Sequence, residues 1–116
     1  NSKFEERWSR TKLGVRVRRW FWDTMLAAHW EAPREGTTGV KFQAFARLGL
    51  PGYADEVEAF FKHGGTKEPN LIHRIPVNAL LEYNAIDAYA ELDLAILQMR
   101  ENGITDRWHS VNLPLR

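Results

Sequence analysis

The chain has 116 residues, enough for one domain with a modest core, and its composition is that of an ordinary globular protein. It contains no cysteine, which excludes disulfides, thiolate zinc sites and cysteine nucleophiles and favours an intracellular setting. Its apolar runs are too short to cross a membrane, so we expect no membrane partner.

Charge is spread unevenly along the chain, although the net charge is only +1. Residues 1–41 contain nine Lys or Arg and five acids, whereas residues 42–116 contain seven Lys or Arg and ten acids. This asymmetry has two interpretations. The basic front half binds a polyanionic partner near a cation-binding site in the acidic rear half, or both halves are solvated surfaces without a partner.

The first 12 residues predict a helix, and a strand is predicted after it. Phe4 and Trp8 share one face of that helix, and Gly14 ends it. Residues 15–18 alternate apolar and basic side chains, and aromatic residues extend the run to Trp22, which is typical of a strand. A lone strand leaves its backbone groups unpaired. Either it pairs with a segment outside this chain, which we expect because the chain starts abruptly, or it is not a strand.

Three short helices are predicted before the last one. Asp23 is a good N-cap for the first, over residues 24–30, which is expected to carry His29 into the core. The others cover residues 40–48 and 55–62, separated by a Gly-Leu-Pro-Gly break. The side chains expected to pack in the core from the helix over 40–48 are Phe42, Phe45 and Ala46.

The longest predicted helix covers residues 77–102, without interior Gly or Pro. A carboxylate on its core-facing stripe costs several kcal/mol unless a cation or hydrogen-bond donors compensate for it. Asp87 is therefore partly exposed, paired with an arginine, or a metal ligand with Tyr83 on the same face. Spacing alone does not decide between these. The stripe itself consists of Leu80, Tyr83, Asp87, Ala90, Leu94 and Leu97.

Three segments together resemble the proofreading 3′-5′ exonuclease domain of family A DNA polymerases, in the bacteriophage-like branch of that family, which belongs to the wider DEDD exonucleases. Residues 1–5, Asn-Ser-Lys-Phe-Glu, are similar to the second exonuclease motif. Residues 22–29 resemble the strand end and helix start between the second and third motifs. Residues 83–87, Tyr-Asn-Ala-Ile-Asp, resemble the Tyr-x-x-x-Asp third motif of the Tyr-containing subgroup. The resemblance covers about residues 1–100 in the expected order.

The resemblance implies an α/β chain with a partial RNase H-like exonuclease fold, mostly helical here, with one or few strands. Residues 1–103 would form part of the exonuclease domain, and residues 104–116 a C-terminal tail or linker. The family's first motif, Asp-x-Glu, supplies two of its four acidic ligands and is not found in this chain. We therefore expect residues 1–116 alone to be inactive.

The resemblance also implies a reaction, hydrolysis of the 3′-terminal phosphodiester of DNA with two Mg²⁺ or Mn²⁺ ions. Asp87 would bind the metal that holds the attacking water, and Tyr83 would orient that water. Glu5, rather than Glu6, would lie near the second metal, where the family usually has Asp.

The implied partners are a single-stranded 3′ end of DNA and a polymerase domain of the same parent chain. The implied location is the cytoplasm of a bacterium infected by phage. Phe or Trp side chains would stack on frayed bases, although tryptophans are more often core residues. The basic residues that would meet the DNA backbone are Lys3, Arg7, Arg16, Arg18, Arg19 and Lys41.

Two other functions stay open. An RNase D-like DEDD ribonuclease domain shares the Tyr-x-x-x-Asp arrangement. A catalytically silent nucleic-acid-binding module is favoured by the missing Asp-x-Glu motif. Without the motifs, Glu5 would be a solvated residue in a first helical turn and Tyr83 a core aromatic with a wet hydroxyl.

Overall fold

The computed structural model describes residues 1–61 and 70–104, and this part of the chain is mostly helical. Residues 105–116, most of the predicted tail, lie outside the described residues. The predicted helices are confirmed, with bounds that differ by a residue or so where both ends are described. They are α1 (Ser2–Leu13), α2 (Thr24–Glu31), α3 (Val40–Leu48), α4 (Asp55–Phe61) and α5 (Val77–Glu101), and a 3-10 turn covers Ile72–Arg74.

No helix within the described ranges is both long and apolar enough to cross a membrane.

The strand predicted over residues 15–22 is wrong for this chain. These residues run without regular secondary structure between α1 and α2, and the part of the chain that the structure describes contains no strand. The backbone N–H of Val17 donates a 3.3 Å hydrogen bond to Oε2 of Glu6 instead of to a neighbouring strand. Oε1 of Glu6 accepts a 2.9 Å bond from Arg10, so this carboxylate fastens the segment to α1. Alternation of side chains is not enough for a strand, because the backbone also needs a partner.

Asp23 is confirmed as the N-cap of α2. Its Oδ1 accepts hydrogen bonds of 3.1 Å from the backbone N–H groups of Met25 and Leu26. Its Oδ2 accepts a 2.7 Å bond from the N–H of Ser2, the first residue of α1. One carboxylate therefore binds the N-terminal ends of two helices, where negative charge is favourable.

The central element is α5, which packs against α2, α3 and α4. Of its predicted stripe, Ala90 and Leu94 are fully buried. The other four residues are half-buried: Leu80, Tyr83, Asp87 and Leu97. Complete burial of a leucine side chain such as Leu94 contributes roughly 1.5–3 kcal/mol.

The core contacts predicted for α3 are wrong. Phe42 and Phe45 are 48% and 67% exposed, and Ala46 is exposed as well. The residues that α3 buries are Gln43 and Ala44. The face of α3 that meets α5 thus carries a polar side chain, which apolar spacing does not identify. His29, expected in the core, also lies exposed on α2.

Buried amide groups join these elements. Gln98 of α5 accepts a 2.9 Å bond from the indole N–H of Trp22, and its Nε2 donates to the carbonyl of Thr24 at 3.0 Å and to Oε1 of Gln43 at 2.9 Å. Nε2 of Gln43 donates in turn to the carbonyl of Thr38 at 2.9 Å. No buried side-chain polar atom in the described ranges lacks a partner. The network therefore holds residues 22–24 and the start of α3 against α5.

Candidate functional site

A cavity of about 550 Å³ is lined by residues of α1, α2 and α5 and of the start of α3. Glu5 of α1 and Asp87 of α5, the two side chains that the resemblance implies as metal ligands, both line it. Asn1 and Asn84, which belong to the same two motifs, line it as well. Its volume falls within the roughly 300–1,000 Å³ that is typical of ligand sites.

The cavity lining also has apolar members. They are Trp20 and Trp22 from the segment between α1 and α2, Met25 of α2, and Val40 at the start of α3. The indole N–H of Trp22 is bound to Gln98, which fixes the orientation of that ring. The cavity thus combines carboxylates with aromatic and aliphatic side chains.

Asp87 is half-buried, and Oδ1 of its carboxylate accepts a 2.7 Å hydrogen bond from the hydroxyl of Tyr53. Among the described residues it forms no ion pair with an arginine. A phenol therefore provides part of the compensation that a carboxylate on this stripe requires. Tyr53 lies in the loop between α3 and α4, and sequence reasoning missed it, because no local pattern links that loop to the middle of α5.

Tyr83 lies on the same side of α5 but packs among rings. Its ring stacks on Tyr53, with centroids 6.1 Å apart and planes inclined by 25°, and it meets Phe61 at 5.5 Å. The ammonium of Lys41 lies 5.3 Å from its ring centroid. Tyr83 lines a neighbouring cavity with Tyr53 and Asp55 instead of the one that Glu5 and Asp87 share. The phenol in direct contact with Asp87 is therefore Tyr53.

Burial raises the pKa of both phenols, and the negative charge of Asp87 adds to the effect. For Tyr53 the hydrogen bond to Asp87 raises the pKa further, because that bond requires the phenol to keep its proton. For Tyr83 the nearby ammonium of Lys41 acts in the opposite direction. Tyr53 is consequently a hydrogen-bond donor throughout the neutral pH range.

The four carboxylates of the cavity differ in how far their hydrogen-bonding capacity is used. Glu91 accepts a hydrogen bond from the hydroxyl of Thr24. Burial would raise the pKa of Asp23, but the N–H groups of Ser2 and Leu26 outweigh it and lower that pKa to about 2. Asp87 has the single bond from Tyr53, whereas the carboxylate of Glu5 is exposed and has no hydrogen bond or ion pair within the described ranges.

Glu5, Asp87 and Glu91 each accept at most one hydrogen bond within the described ranges, and of these three Glu5 and Asp87 are the ones that the resemblance implies as metal ligands. Carboxylate oxygens are the ligands that Mg²⁺ and Mn²⁺ prefer, and Mg²⁺ often takes one or two of them together with water and substrate phosphate. No group of three or more His, Cys, Asp or Glu side chains in residues 1–61 and 70–104 is arranged to hold a metal ion. The two carboxylates thus fit part of a cation site, and further oxygen ligands would have to complete it.

The basic residues expected to contact DNA lie outside this cavity. Lys41 forms a 3.2 Å ion pair with Glu58 and lies over the rings of Phe61 and Tyr83, so it belongs to the packing around α4. The other five are exposed on α1 and on the segment that follows it: Lys3, Arg7, Arg16, Arg18 and Arg19.

Comparison of the chain with protein-family models, with curated proteins and with solved structures finds no match in any of the three.

Proposed function

We propose that this chain is part of a 3′-5′ proofreading exonuclease domain of a phage-type DNA polymerase, with the α/β RNase H-like fold completed by strands outside residues 1–116. The observation that carries the proposal is that Glu5 and Asp87 line one cavity. They belong to the two motif-like segments over residues 1–5 and 83–87, and nothing in local helix formation requires both segments to line the same cavity. Their presence in one cavity supports the interpretation that they form one site.

The proposed reaction is hydrolysis of the 3′-terminal phosphodiester. Two Mg²⁺ or Mn²⁺ ions would supply an activated water and stabilise the leaving 3′ oxygen. Asp87 would bind one ion through the oxygen that Tyr53 does not occupy, and Glu5 would lie near the other. The remaining acidic ligands would come from the Asp-x-Glu motif of the family, upstream of Asn1. The third motif of the family implies that Tyr83 orients the water, although its ring lines the neighbouring cavity in this structure.

The walls of the cavity suit a single-stranded end. Trp20 and Met25 offer faces on which an unpaired base can stack, and Trp22 is held in place by Gln98. Arg18 and Arg19 adjoin Trp20 in the chain and are exposed, so they can neutralise backbone phosphates. A frayed 3′ end would be delivered by a polymerase domain of the same parent chain, in the cytoplasm of the infected bacterium.

The direct test uses the full-length protein that contains this segment and a 5′-labelled single-stranded DNA with Mg²⁺. We expect Asp87→Ala to abolish trimming from the 3′ end. The matched control is Asp93→Ala, since Asp93 also lies on α5, four residues after a tyrosine, Tyr89, but does not line the cavity. Wild-type trimming by Asp87→Ala would contradict the assignment. A preference for structured RNA over DNA would point to the RNase D-like alternative.

A catalytically silent nucleic-acid-binding module is the second candidate function. It is favoured by the finding that the described residues hold no group of three acidic or histidine side chains suited to a metal. Full-length protein that binds single-stranded DNA equally well with Asp87 or Ala at position 87, and that releases no nucleotide, would establish this candidate.

A further inference from the structure

The hydrogen bond between Tyr53 and Asp87 joins a residue outside the motif-like segments to a residue of the candidate site. The two atoms, the phenol oxygen and Oδ1, are 2.7 Å apart, and the bond joins the loop before α4 to the middle of α5. Apart from the Tyr53 bond, the half-buried Asp87 side chain has no hydrogen bond or ion pair within the described ranges.

The ring of Tyr53 is itself held in place. It packs against the small core cluster of Ala54, Val57 and Ile75, and it stacks on Tyr83. The backbone N–H of Tyr53 donates a 2.7 Å bond to the carbonyl of Pro51, which closes the turn that carries the ring. The hydroxyl therefore approaches Asp87 from a fixed direction.

We propose that Tyr53 is a positioning residue for Asp87: by occupying Oδ1 it fixes the carboxylate so that Oδ2 is presented to the cavity and its cation. The inference rests on the proposed function, because it assigns a role relative to the reacting centre of that site. Tyr53 itself touches neither substrate nor metal in this account.

An aspartate side chain rotates about its side-chain bonds. When a metal ion binds and fixes that side chain, the lost conformational entropy lowers the affinity for the metal. A donor that holds one oxygen beforehand removes part of this cost. Groups that orient metal ligands in this manner typically change metal affinity or activity by about 10–100-fold when they are removed.

The test is Tyr53→Phe in the full-length protein, which removes the hydroxyl and keeps the ring on Tyr83. We expect 3′-end trimming to fall about 10–100-fold through kcat, with KM for DNA little changed, and half-maximal activity to need more Mn²⁺. Mn²⁺ affinity measured by electron paramagnetic resonance should fall in parallel, which gives a readout that does not depend on turnover. The matched control is Tyr89→Phe, since Tyr89 is an exposed tyrosine of α5 that does not line the cavity, and this change should leave both quantities unchanged.

The outcomes separate this inference from the proposed function. If Asp87→Ala is inactive while Tyr53→Phe trims DNA and binds Mn²⁺ like wild type, the positioning role is wrong and the function stands. If both variants trim like wild type, the proposed function is wrong and the positioning role with it. An equal loss in Tyr89→Phe would also overturn the role, because the effect would then not be specific to Asp87. Thermal unfolding of each variant controls for damage to the fold.

Discussion

Gln98 accepts a 2.9 Å hydrogen bond from the indole nitrogen of Trp22, and through this bond the last helix holds one wall of the candidate site. Gln98 is fully buried, as is most of Gln43, to which it donates a second bond. A buried amide of this kind is tolerated only when its partners are in place. The same bonds that fix the fold therefore fix the position of Trp22 at the cavity.

Replacement of this amide should destabilise the chain. We expect Gln98→Leu to lower the free energy of unfolding by about 2–4 kcal/mol, because it removes a hydrogen-bond partner from three groups, the Trp22 N–H, the Thr24 carbonyl and the Gln43 side-chain oxygen, and a buried group left unpaired costs about 1–3 kcal/mol. Urea denaturation measures the change. The exposed Arg100, two residues further along α5, provides the control, and Arg100→Leu should change the value by less than about 0.5 kcal/mol. Equal stability of Gln98→Leu and wild type would contradict the network.

The cap at Asp23 predicts a pH dependence. Its pKa is about 2 in the folded chain and 3.8 in the reference state, so the folded state favours the charged form. The sign follows: the stabilisation is complete above about pH 4 and is lost as the pH falls towards 2. Asp23→Ala should cost about 0.5–2 kcal/mol at pH 7. The measurement is the unfolding free energy of both proteins as a function of pH, and the two curves should converge on acidification. If the difference in unfolding free energy between wild type and Asp23→Ala stays constant as the pH falls, the ionisation of Asp23 does not contribute to the pH dependence.

Much of the fold follows from local sequence. The start of α2 depends on the Asp23 side chain, which accepts hydrogen bonds from the N–H groups of Met25 and Leu26. The end of α3 depends on Gly49, which adopts a positive φ of 69°. The long run without Gly or Pro predicts α5, and 3-4 spacing identifies Ala90 and Leu94 as buried. These features depend on residues within a turn or two of each other.

What sequence reasoning missed depends on distant partners. Residues 15–22 alternate like a strand, but the N–H of Val17 binds Glu6, a residue of the preceding helix. Phe42 and Phe45 are apolar and are predicted to lie in the core. They are exposed, because α3 turns Gln43 inward, where it accepts a hydrogen bond from Gln98 of α5. Tyr53 carries no local sign of its contact with Asp87. The predicted ligands Glu5 and Asp87 do line one cavity, but their chemistry stays a prediction.

The third motif predicts a role for the hydroxyl of Tyr83. We expect Tyr83→Phe in the full-length protein to slow 3′-end trimming by about 10–100-fold, as for the loss of a group that supports a metal ligand. The phenylalanine ring keeps the contacts with Tyr53 and Phe61, so the unfolding temperature should change little. Single-turnover trimming rates measure the effect. A rate within twofold of wild type would leave Tyr83 as a packing residue only.

Residues 1–116 alone should hydrolyse DNA poorly or not at all. Glu5 and Asp87 supply only two of the four acidic ligands that the family resemblance implies, and two carboxylates do not complete a two-metal site. The measurement is the shortening of a 5′-labelled single strand of DNA in Mg²⁺ and in Mn²⁺. Robust Mg²⁺-dependent trimming by this segment would show that the ligand set is complete without the Asp-x-Glu motif.

We propose above that Asp87 binds a divalent cation through Oδ2, the carboxylate oxygen that does not accept the hydrogen bond from Tyr53. Crystals of the full-length protein soaked in Mn²⁺ test it directly, through the anomalous scattering of the metal. We expect a peak within coordination distance of Oδ2 of Asp87, in the cavity that Glu5 lines, and its loss in Asp87→Ala. Ordered Asp87 and Glu5 side chains with no anomalous peak between them would contradict it.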